Sequence, residues 1–183
     1  MFRTYNPTIY TLFVSMLSTL FFCFPSLVRL ATDTAWAAAT FNLGPHTVTT
    51  PHTDLANLLW GWCCIYAFGR YDPKRGGHLI LWDLGIAIKF PPGSTIMIPS
   101  SFLVHSNVTI RSYETRYSFT QYSAGSLFRW VENGGKTDKA VLAEADAGGC
   151  GDTVRAQRAA AARERARHGL ESFPRWEGAV RTI

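Results

Sequence analysis

The chain has 183 residues, of which 47% are hydrophobic and 17% charged, and its formal net charge is +5. This length and apolar content are enough for one folded domain with a real core, and they exclude a disordered chain. The four cysteines, at positions 23, 63, 64 and 150, form no CxxC pair and no zinc-type spacing, which predicts reduced thiols rather than a disulfide framework.

The first apolar segment, residues 8–24, allows two interpretations. Arg3 followed by an apolar run and by the small residues of AWAAAT is typical of a signal peptide. The same run carries five hydroxyl residues at roughly helical spacing, which favours an amphipathic helix packed on the domain and stopped by Pro25. A run of about 17 residues is short for a membrane span, and no stable membrane partner is expected. Residues 1–35 form this apolar N-terminal segment.

From Trp36 to about Val131 the chain shows short apolar or alternating runs separated by glycine, proline, asparagine and aspartate, a pattern typical of β-structure. The predicted strands are AAATFNL, TVTTPHT, WCCIYAF, HLILWDL, AIKF, TIMIP, FLVHSNVTI, RYSFTQY and LFRWV. The phrase PPGS predicts a type II turn, with Gly93 at positive φ. Because no helical stretch separates the strands, residues 36–134 are predicted to form a sandwich or jelly roll.

Beyond Gly134 the composition changes to alanine, arginine, glutamate and glutamine. Residues 153–168 predict one exposed helix that ends at Gly169. Residues 135–183 are predicted to form a basic helical tail, because their last part, residues 151–183, holds seven arginines against four acidic residues. This tail either binds a polyanion or is a solvated surface. The fold is therefore predicted as mainly β, α+β overall, with an N-terminal and a C-terminal helix.

His52 and Asp54 form an HxD pair, and residues two apart on an extended strand project from the same face, where both can bind one metal ion. Such a pair often arises by chance, and a surface histidine beside a turn aspartate is the ordinary alternative. His105, in the apolar context PSSFLVHSN, adds a third ligand. Two histidines and one carboxylate make the facial triad of non-haem iron(II) oxygenases, which leaves three positions open for a 2-oxoacid and O₂.

Arg116 and Ser118 follow on the next predicted strand. A planar guanidinium suits the far carboxylate of 2-oxoglutarate, and a hydroxyl two residues further adds a hydrogen bond on the same side. Alternation places Thr120 and Tyr122 on this inward face as well. The alternatives are a surface Arg116 paired with Glu114 and a Tyr122 that serves only as a core aromatic.

The remaining candidate ligands have less specific settings. His46, His78 and His168 have no partner at metal spacing. Asp83, within LILWDL, is predicted as a turn or strand-end residue, with a supporting role behind a metal ligand as the alternative. The adjacent cysteines lie in an apolar run and are predicted to act as small buried hydrophobes.

Three phrases carry a resemblance to a known family: FNLGPHTVTTPHTDLANLLWGWC, GGHLILWDLGIAIKFPPGSTIMIPSSFLVHSN and ETRYSFTQYSAGSLFRWVENG. Over residues 41–134 the chain resembles the fungal branch of the TET/JBP family, 2-oxoglutarate oxygenases that act on the methyl group of thymine or 5-methylcytosine in nucleic acid. The resemblance implies a double-stranded β-helix that uses Fe(II), 2-oxoglutarate and O₂. It also implies the following assignments: iron ligation by His52, Asp54 and His105, and carboxylate binding by Arg116 and Ser118.

By the same resemblance Asn57, the last residue of an extended HxDxxN motif, faces the base pocket, and Tyr122 stacks on the flipped base. Animal members carry a histidine where this chain has Ala124, which leaves the base preference open. The expected protein is a nuclear dioxygenase that oxidises a methylated pyrimidine in nucleic acid, DNA rather than RNA. The alternatives are an oxygenase acting on a protein or a small molecule, and a catalytically decayed, truncated copy associated with a transposon.

Overall fold

The computed structural model of the chain describes residues 1–29 and 31–173. The chain folds into two compact units: one is formed by residues 29–123, and the other by residues 1–28 together with the segment that begins at Ala124. The sequence suggested boundaries at residues 36 and 134 instead. No helix in the described ranges is both long enough and apolar enough to cross a membrane.

The unit of residues 29–123 contains two antiparallel sheets. Its described strands are β1 (Ala38–Asn42), β2 (Cys63–Arg70), β3 (Leu79–Leu81), β4 (Ile86–Ile88), β5 (Thr95–Ile98), β6 (His105–Asn107) and β7 (Thr115–Tyr122). The larger sheet has the order β1-β7-β2-β5 and the smaller sheet the order β4-β3-β6. A 3₁₀ turn, Trp82–Leu84, joins β3 to β4. Antiparallel sheets together with the helices of the other unit make an α+β protein.

The core of this unit is made by residues from both sheets. Buried side chains that pack together are Cys63, Ala67, Leu79, Leu81, Phe90 and Ile98. Alternation along β2 turns Cys63 and Ala67 inward, so the predicted role of Cys63 as a small buried hydrophobe is confirmed. Burial raises the pKa of the Cys63 thiol to about 12, which keeps it protonated and uncharged.

Two glycines meet a specific backbone demand. Gly93 has φ of 84°, and the Ser94 N–H donates to the Pro91 carbonyl at 3.2 Å, which confirms the predicted turn. Gly69, in β2, has φ of 125°, and a Cβ there would lie 2.2 Å from the Thr115 carbonyl oxygen. Gly69 therefore lets β7 approach β2 closely beside Arg116, its partner in register.

Two of the predicted strands are wrong. TVTTPHT is irregular apart from one isolated bridge at His52, because Pro51 has no N–H to donate and the Thr49 N–H donates to a side-chain oxygen, Asn107 Oδ1, instead of to a backbone carbonyl. LFRWV lies inside helix α3 (Gly125–Glu132), where Phe128 is buried. Four of its five residues are apolar and fit helical spacing, and so short an apolar segment does not separate helix from strand.

The other unit is helical in its described part. Besides α3 it contains α1 (Phe2–Tyr5), α2 (Pro7–Cys23), α4 (Asp138–Ala147) and α5 (Gly151–Glu171). The predicted amphipathic helix is confirmed as α2, which ends before Pro25. Asn6 caps it by accepting the Ile9 N–H at 3.1 Å. Its buried residues are Ile9, Phe13, Met16, Leu17 and Leu20, and all five hydroxyl residues of the run are exposed.

The C-terminal helix differs from its prediction in length and surroundings. It runs from Gly151 to Glu171, through Gly169, which is buried within the helix rather than capping it, so the predicted stop is wrong. Four of its five arginines pair with acidic side chains of the same unit: Arg155 with Asp146, Arg158 with Asp138, Arg165 with Glu132 and Arg167 with Glu164. These pairs favour the solvated-surface interpretation of the helix. The tail after residue 173 lies outside the described residues.

The core of residues 29–123 gives a test of this fold. Ile98 is 3% exposed, so Ile98→Ala should lower the free energy of unfolding by about 2–5 kcal/mol, through lost burial and the cavity left behind. Ile86 is 44% exposed, and Ile86→Ala should change the free energy by no more than about 0.5 kcal/mol. Urea denaturation of both variants measures the difference. Equal effects at the two positions would contradict this core.

Candidate active site

The candidate metal ligands are brought together by one pair of backbone hydrogen bonds. The His52 N–H donates to the His105 carbonyl at 3.1 Å, and the His105 N–H donates to the His52 carbonyl at 2.9 Å. Residues directly opposite in an antiparallel pair project to the same face. The two imidazole rings accordingly lie side by side, with centroids 4.3 Å apart.

Each imidazole has its protonation pattern set by the backbone. His52 Nδ1 lies 2.8 Å from the Thr50 carbonyl oxygen, and His105 Nδ1 lies 2.9 Å from the Leu103 carbonyl oxygen. A carbonyl can only accept, so the hydrogen of each neutral ring sits on Nδ1. Both Nε2 atoms keep their lone pairs, which is the state that binds a metal ion.

Asp54 completes the cluster from an irregular loop rather than from the predicted strand. Its N–H donates to the Ser100 carbonyl at 2.9 Å, and its Oδ1 lies 3.6 Å from His52 Nε2. One donor atom from each of the three side chains lies within 4.8 Å of the others. Two imidazole nitrogens and one carboxylate oxygen at this separation fit a single divalent ion of the iron(II) type.

Arg116 is a buried cation without an anion beside it. It is 3% exposed, its Nη1 donates to the Thr47 carbonyl at 3.0 Å, and its Nε is buried with no hydrogen-bond partner among the described residues. Burial lowers the pKa of Arg116, and the nearby Tyr71 hydroxyl partly offsets this. The guanidinium stays charged at any physiological pH. A buried charge is costly unless it is paired, so this position fits a carboxylate ligand.

The surface ion pair considered for Arg116 does not form. Glu114 instead accepts the backbone N–H groups of Asp72 at 2.8 Å and of Arg111 at 2.9 Å. Those two hydrogen bonds, that from Arg111 first, lower the pKa of Glu114. Glu114 therefore stabilises the turn that precedes β7, and it forms no ion pair with the buried Arg116.

The predicted alternation along β7 is confirmed by the contacts on its two faces. On the inner face the Ser118 hydroxyl accepts from Asn42 Nδ2 at 2.9 Å, and Tyr122 Oη lies 3.3 Å from Thr40 Oγ1. On the outer face the Tyr117 ring stacks on another aromatic ring, and so does the Phe119 ring. Period two along one strand thus places the guanidinium, a hydroxyl and a phenol on a single wall.

One cavity of about 410 Å³ joins these parts. All seven residues singled out in the sequence line it: His52, Asp54, Asn57, His105, Arg116, Ser118 and Tyr122. Most further lining residues are apolar or carry hydroxyl groups, among them Leu79, Phe90 and Thr120, and two are asparagines. A concave, largely apolar space with a few converging polar groups is the usual form of a small-molecule site.

One supporting residue, Asn107, was missed by sequence reasoning, and another, Asp83, was considered there only as an alternative. Asn107 is buried; its Oδ1 accepts the Thr49 N–H at 2.9 Å and its Nδ2 donates to the Thr47 carbonyl at 3.2 Å, which fixes the segment before His52. Asp83 Oδ2 accepts the Val104 N–H at 2.6 Å and so holds the residue just before His105. The one signal for Asn107 in the sequence was its position, two residues after His105 in a predicted strand, where the two side chains share a face.

Comparison with known proteins adds partial structural likenesses. No family model and no curated protein sequence matches the chain. NgTET1 in complex with 5mC DNA is similar with a TM-score of 0.44 and 17% identity, over 67% of this chain and 51% of that one. The viral collagen prolyl hydroxylase vCPH from Paramecium Bursaria Chlorella virus-1, a 2OG complex, is similar with a TM-score of 0.34 and 15% identity, over 46% and 59%. The chain thus spans less than two thirds of either protein, and neither likeness is close enough to carry an activity over to it.

The cluster predicts metal binding that depends on all three side chains. His52→Ala, Asp54→Ala and His105→Ala should each abolish tight binding of Co²⁺ or Mn²⁺, because two remaining ligands hold a divalent ion weakly. Isothermal titration of the purified protein under anaerobic conditions measures this. His168→Ala, on exposed α5, is the matched control and should bind like the wild type. Wild-type affinity in any of the three cluster variants would remove that residue from the site.

Proposed function

We propose that this protein is an Fe(II)- and 2-oxoglutarate-dependent dioxygenase that oxidises a methylated pyrimidine base, 5-methylcytosine or thymine, in nucleic acid. The observation that carries the proposal is a His-Asp-His cluster and a buried, unpaired guanidinium that line the same cavity. A ligand that fits both must chelate a metal at one end and carry a carboxylate at the other. A 2-oxo diacid has this chemistry.

The metal end is prepared by the chain itself. His52 and His105 offer Nε2 lone pairs because their Nδ1 hydrogens are held by carbonyl oxygens. Iron(II), when bound, supplies the centre at which the 2-oxoacid and O₂ react. Apolar side chains such as Leu79 and Phe90 line the same cavity, and an apolar lining limits the access of water.

The carboxylate end is the wall of β7. The Arg116 Nε–H has no hydrogen-bond partner among the described residues and is available to a carboxylate. The Ser118 hydroxyl, which accepts from Asn42, still has its own hydrogen to donate. The Tyr71 hydroxyl donates to the Phe90 carbonyl at 2.5 Å and lies beside the guanidinium. Arg116 and Ser118 are therefore proposed to bind the far carboxylate of 2-oxoglutarate.

The nucleic-acid substrate is supported by the sequence resemblance to the fungal TET/JBP branch and by the cavity wall. Tyr122 presents a half-buried ring on the same face as Arg116. A base that reaches ligands at this depth must leave the duplex stack, and an aromatic ring is a suitable platform for it. The two antiparallel sheets are proposed to be the halves of a double-stranded β-helix. A nuclear location is proposed as well, because the proposed substrate is DNA.

The alternatives differ in what they require of the cavity. A decayed copy needs no intact ligand cluster, whereas all seven candidate residues line one space here. A protein or small-molecule substrate would use the same metal and oxo-acid ends without a stacking platform. Tyr122 is therefore the residue that separates the base-oxidising hypothesis from this second one.

Removal of the buried cation tests the oxo-acid end. Arg116→Ala should leave Co²⁺ affinity unchanged but raise the 2-oxoglutarate concentration for half-maximal succinate formation by roughly 10- to 100-fold, since a charge-assisted hydrogen bond contributes roughly 1.5–3 kcal/mol. Arg111→Ala, which removes an exposed guanidinium bonded to Tyr113, is the control. Unchanged 2-oxoglutarate dependence in Arg116→Ala would mean that another residue binds the co-substrate.

The substrate is tested with methylated DNA. Protein supplied with iron(II), ascorbate and 2-oxoglutarate should convert 5-methylcytosine or thymine to the hydroxymethyl base, detected by mass spectrometry of digested nucleosides. Tyr122→Ala should reduce this product by roughly 5- to 100-fold, because stacking contributes roughly 1–3 kcal/mol per base. Succinate formed without DNA should be largely retained.

Tyr122→Phe is the matched control, because it keeps the ring and loses only the hydroxyl near Thr40. It should retain most of the base oxidation. If Tyr122→Ala lost succinate formation and base oxidation equally, Tyr122 would be a packing residue. Succinate formation without any oxidised base, under every condition, would favour a protein or small-molecule substrate.

A further inference from the structure

Asn57 lies beside the metal cluster with both hydrogens of its amide already committed. Asn57 Nδ2 donates to Asp54 Oδ2 at 3.2 Å and to Ser100 Oγ at 3.2 Å. An amide nitrogen has two hydrogens, so these two acceptors use its full donor capacity. The amide nitrogen therefore faces the outer oxygen of a metal ligand, and it has no hydrogen left to donate to a ligand in the cavity.

The second acceptor cannot move away. Ser100 is 1% exposed and lies beside the Cys63 side chain, which is also 1% exposed. The Ser100 carbonyl in turn accepts the Asp54 N–H at 2.9 Å. The hydrogen bonds thus form a closed ring through Asn57, Ser100 and Asp54, and this ring holds the Asp54 carboxylate in place.

The backbone of Asn57 is held as firmly as its side chain. Its N–H donates to the Asp54 carbonyl at 2.9 Å, and its carbonyl accepts from Ser101 Oγ at 3.3 Å. Ser101 is buried as well. Because hydrogen bonds restrain both the backbone and the amide group of Asn57, its side chain has one orientation. Its hydrogen bond to Asp54 Oδ2 is therefore a fixed feature of the site.

We propose that Asn57 is a positioning residue that makes Asp54 a one-oxygen ligand. Its amide holds Oδ2 away from the metal, while Oδ1, on the side of His52 Nε2, is left to bind it. This inference rests on the metal site of the proposed function and goes beyond it, because it assigns the amide nitrogen of Asn57 to the support of a metal ligand rather than to the base pocket.

The number of oxygens matters for the chemistry. Three single-atom ligands leave three of six positions open around an octahedral ion, two for a chelating oxo acid and one for O₂. If Asp54 bound through both oxygens, only two positions would remain. The Asn57 amide would thus preserve the position that O₂ needs.

Co²⁺ binding to the purified protein, without nucleic acid, tests the proposal by affinity and by visible absorption. Asn57→Ala and Asn57→Leu should weaken Co²⁺ binding by roughly 10- to 100-fold, as is typical when a hydrogen-bond partner of a metal ligand is lost. The ligand-field bands of the bound ion should also change, because Asp54 is free to rotate. Leu55→Ala, at an 85% exposed neighbour on the same loop, should alter neither the affinity nor the bands.

A crystal structure of the wild-type protein with Mn²⁺ and 2-oxoglutarate gives a second measurement that does not depend on the variants folding. Asp54 Oδ1 alone should bind the ion, with Oδ2 on Asn57; two bound oxygens would overturn the proposal. Asn57 variants with wild-type Co²⁺ affinity and bands, but a raised KM for DNA, would return Asn57 to the base pocket. If the wild type itself bound no Co²⁺, the proposed function would fail together with this inference.

Discussion

The reciprocal backbone hydrogen bonds between His52 and His105 are the constraint on which the candidate site depends. They join an irregular segment to the short strand β6 and so bring together two ligands that are far apart in the chain. The hydrogen bond from the Asp54 N–H to the Ser100 carbonyl then fixes the third ligand against the segment that joins β5 to β6. Without these hydrogen bonds, the three side chains would lose conformational entropy when a metal binds, and the metal affinity would be lower.

The second constraint is electrostatic. A guanidinium at 3% exposure, with no acidic partner among the described residues, lowers the stability of the fold unless an anion joins it. Gly69 permits the close strand approach that places Arg116 there, and Thr47 satisfies only part of its donor set. Under the proposed function, the His-Asp-His cluster and this unpaired charge together would select a ligand with a chelating group at one end and a carboxylate at the other.

Local patterns predicted well what depends on local geometry. The wall formed by Arg116, Ser118 and Tyr122 follows from the period of two along a single strand, and helix α2 follows from the spacing of its hydroxyl residues. Non-local hydrogen bonds were beyond reach: the buried amide of Asn107 replaces strand partners for the segment before His52, so TVTTPHT looks like a strand and is not one. LFRWV failed for a different reason, since five mostly apolar residues fit a helix as well as a strand.

Asn57 shows how a resemblance and a geometry can share one residue. Its amide nitrogen is fully used by Asp54 and Ser100, so only its carbonyl oxygen could face a base under the proposed function. An oxygen accepts but does not donate, and it would therefore suit the N4 amino group of 5-methylcytosine. The N3–H of thymine offers a donor as well, so this single acceptor would not separate the two bases. Discrimination between them would have to come from other residues of the cavity, such as those that flank Tyr122.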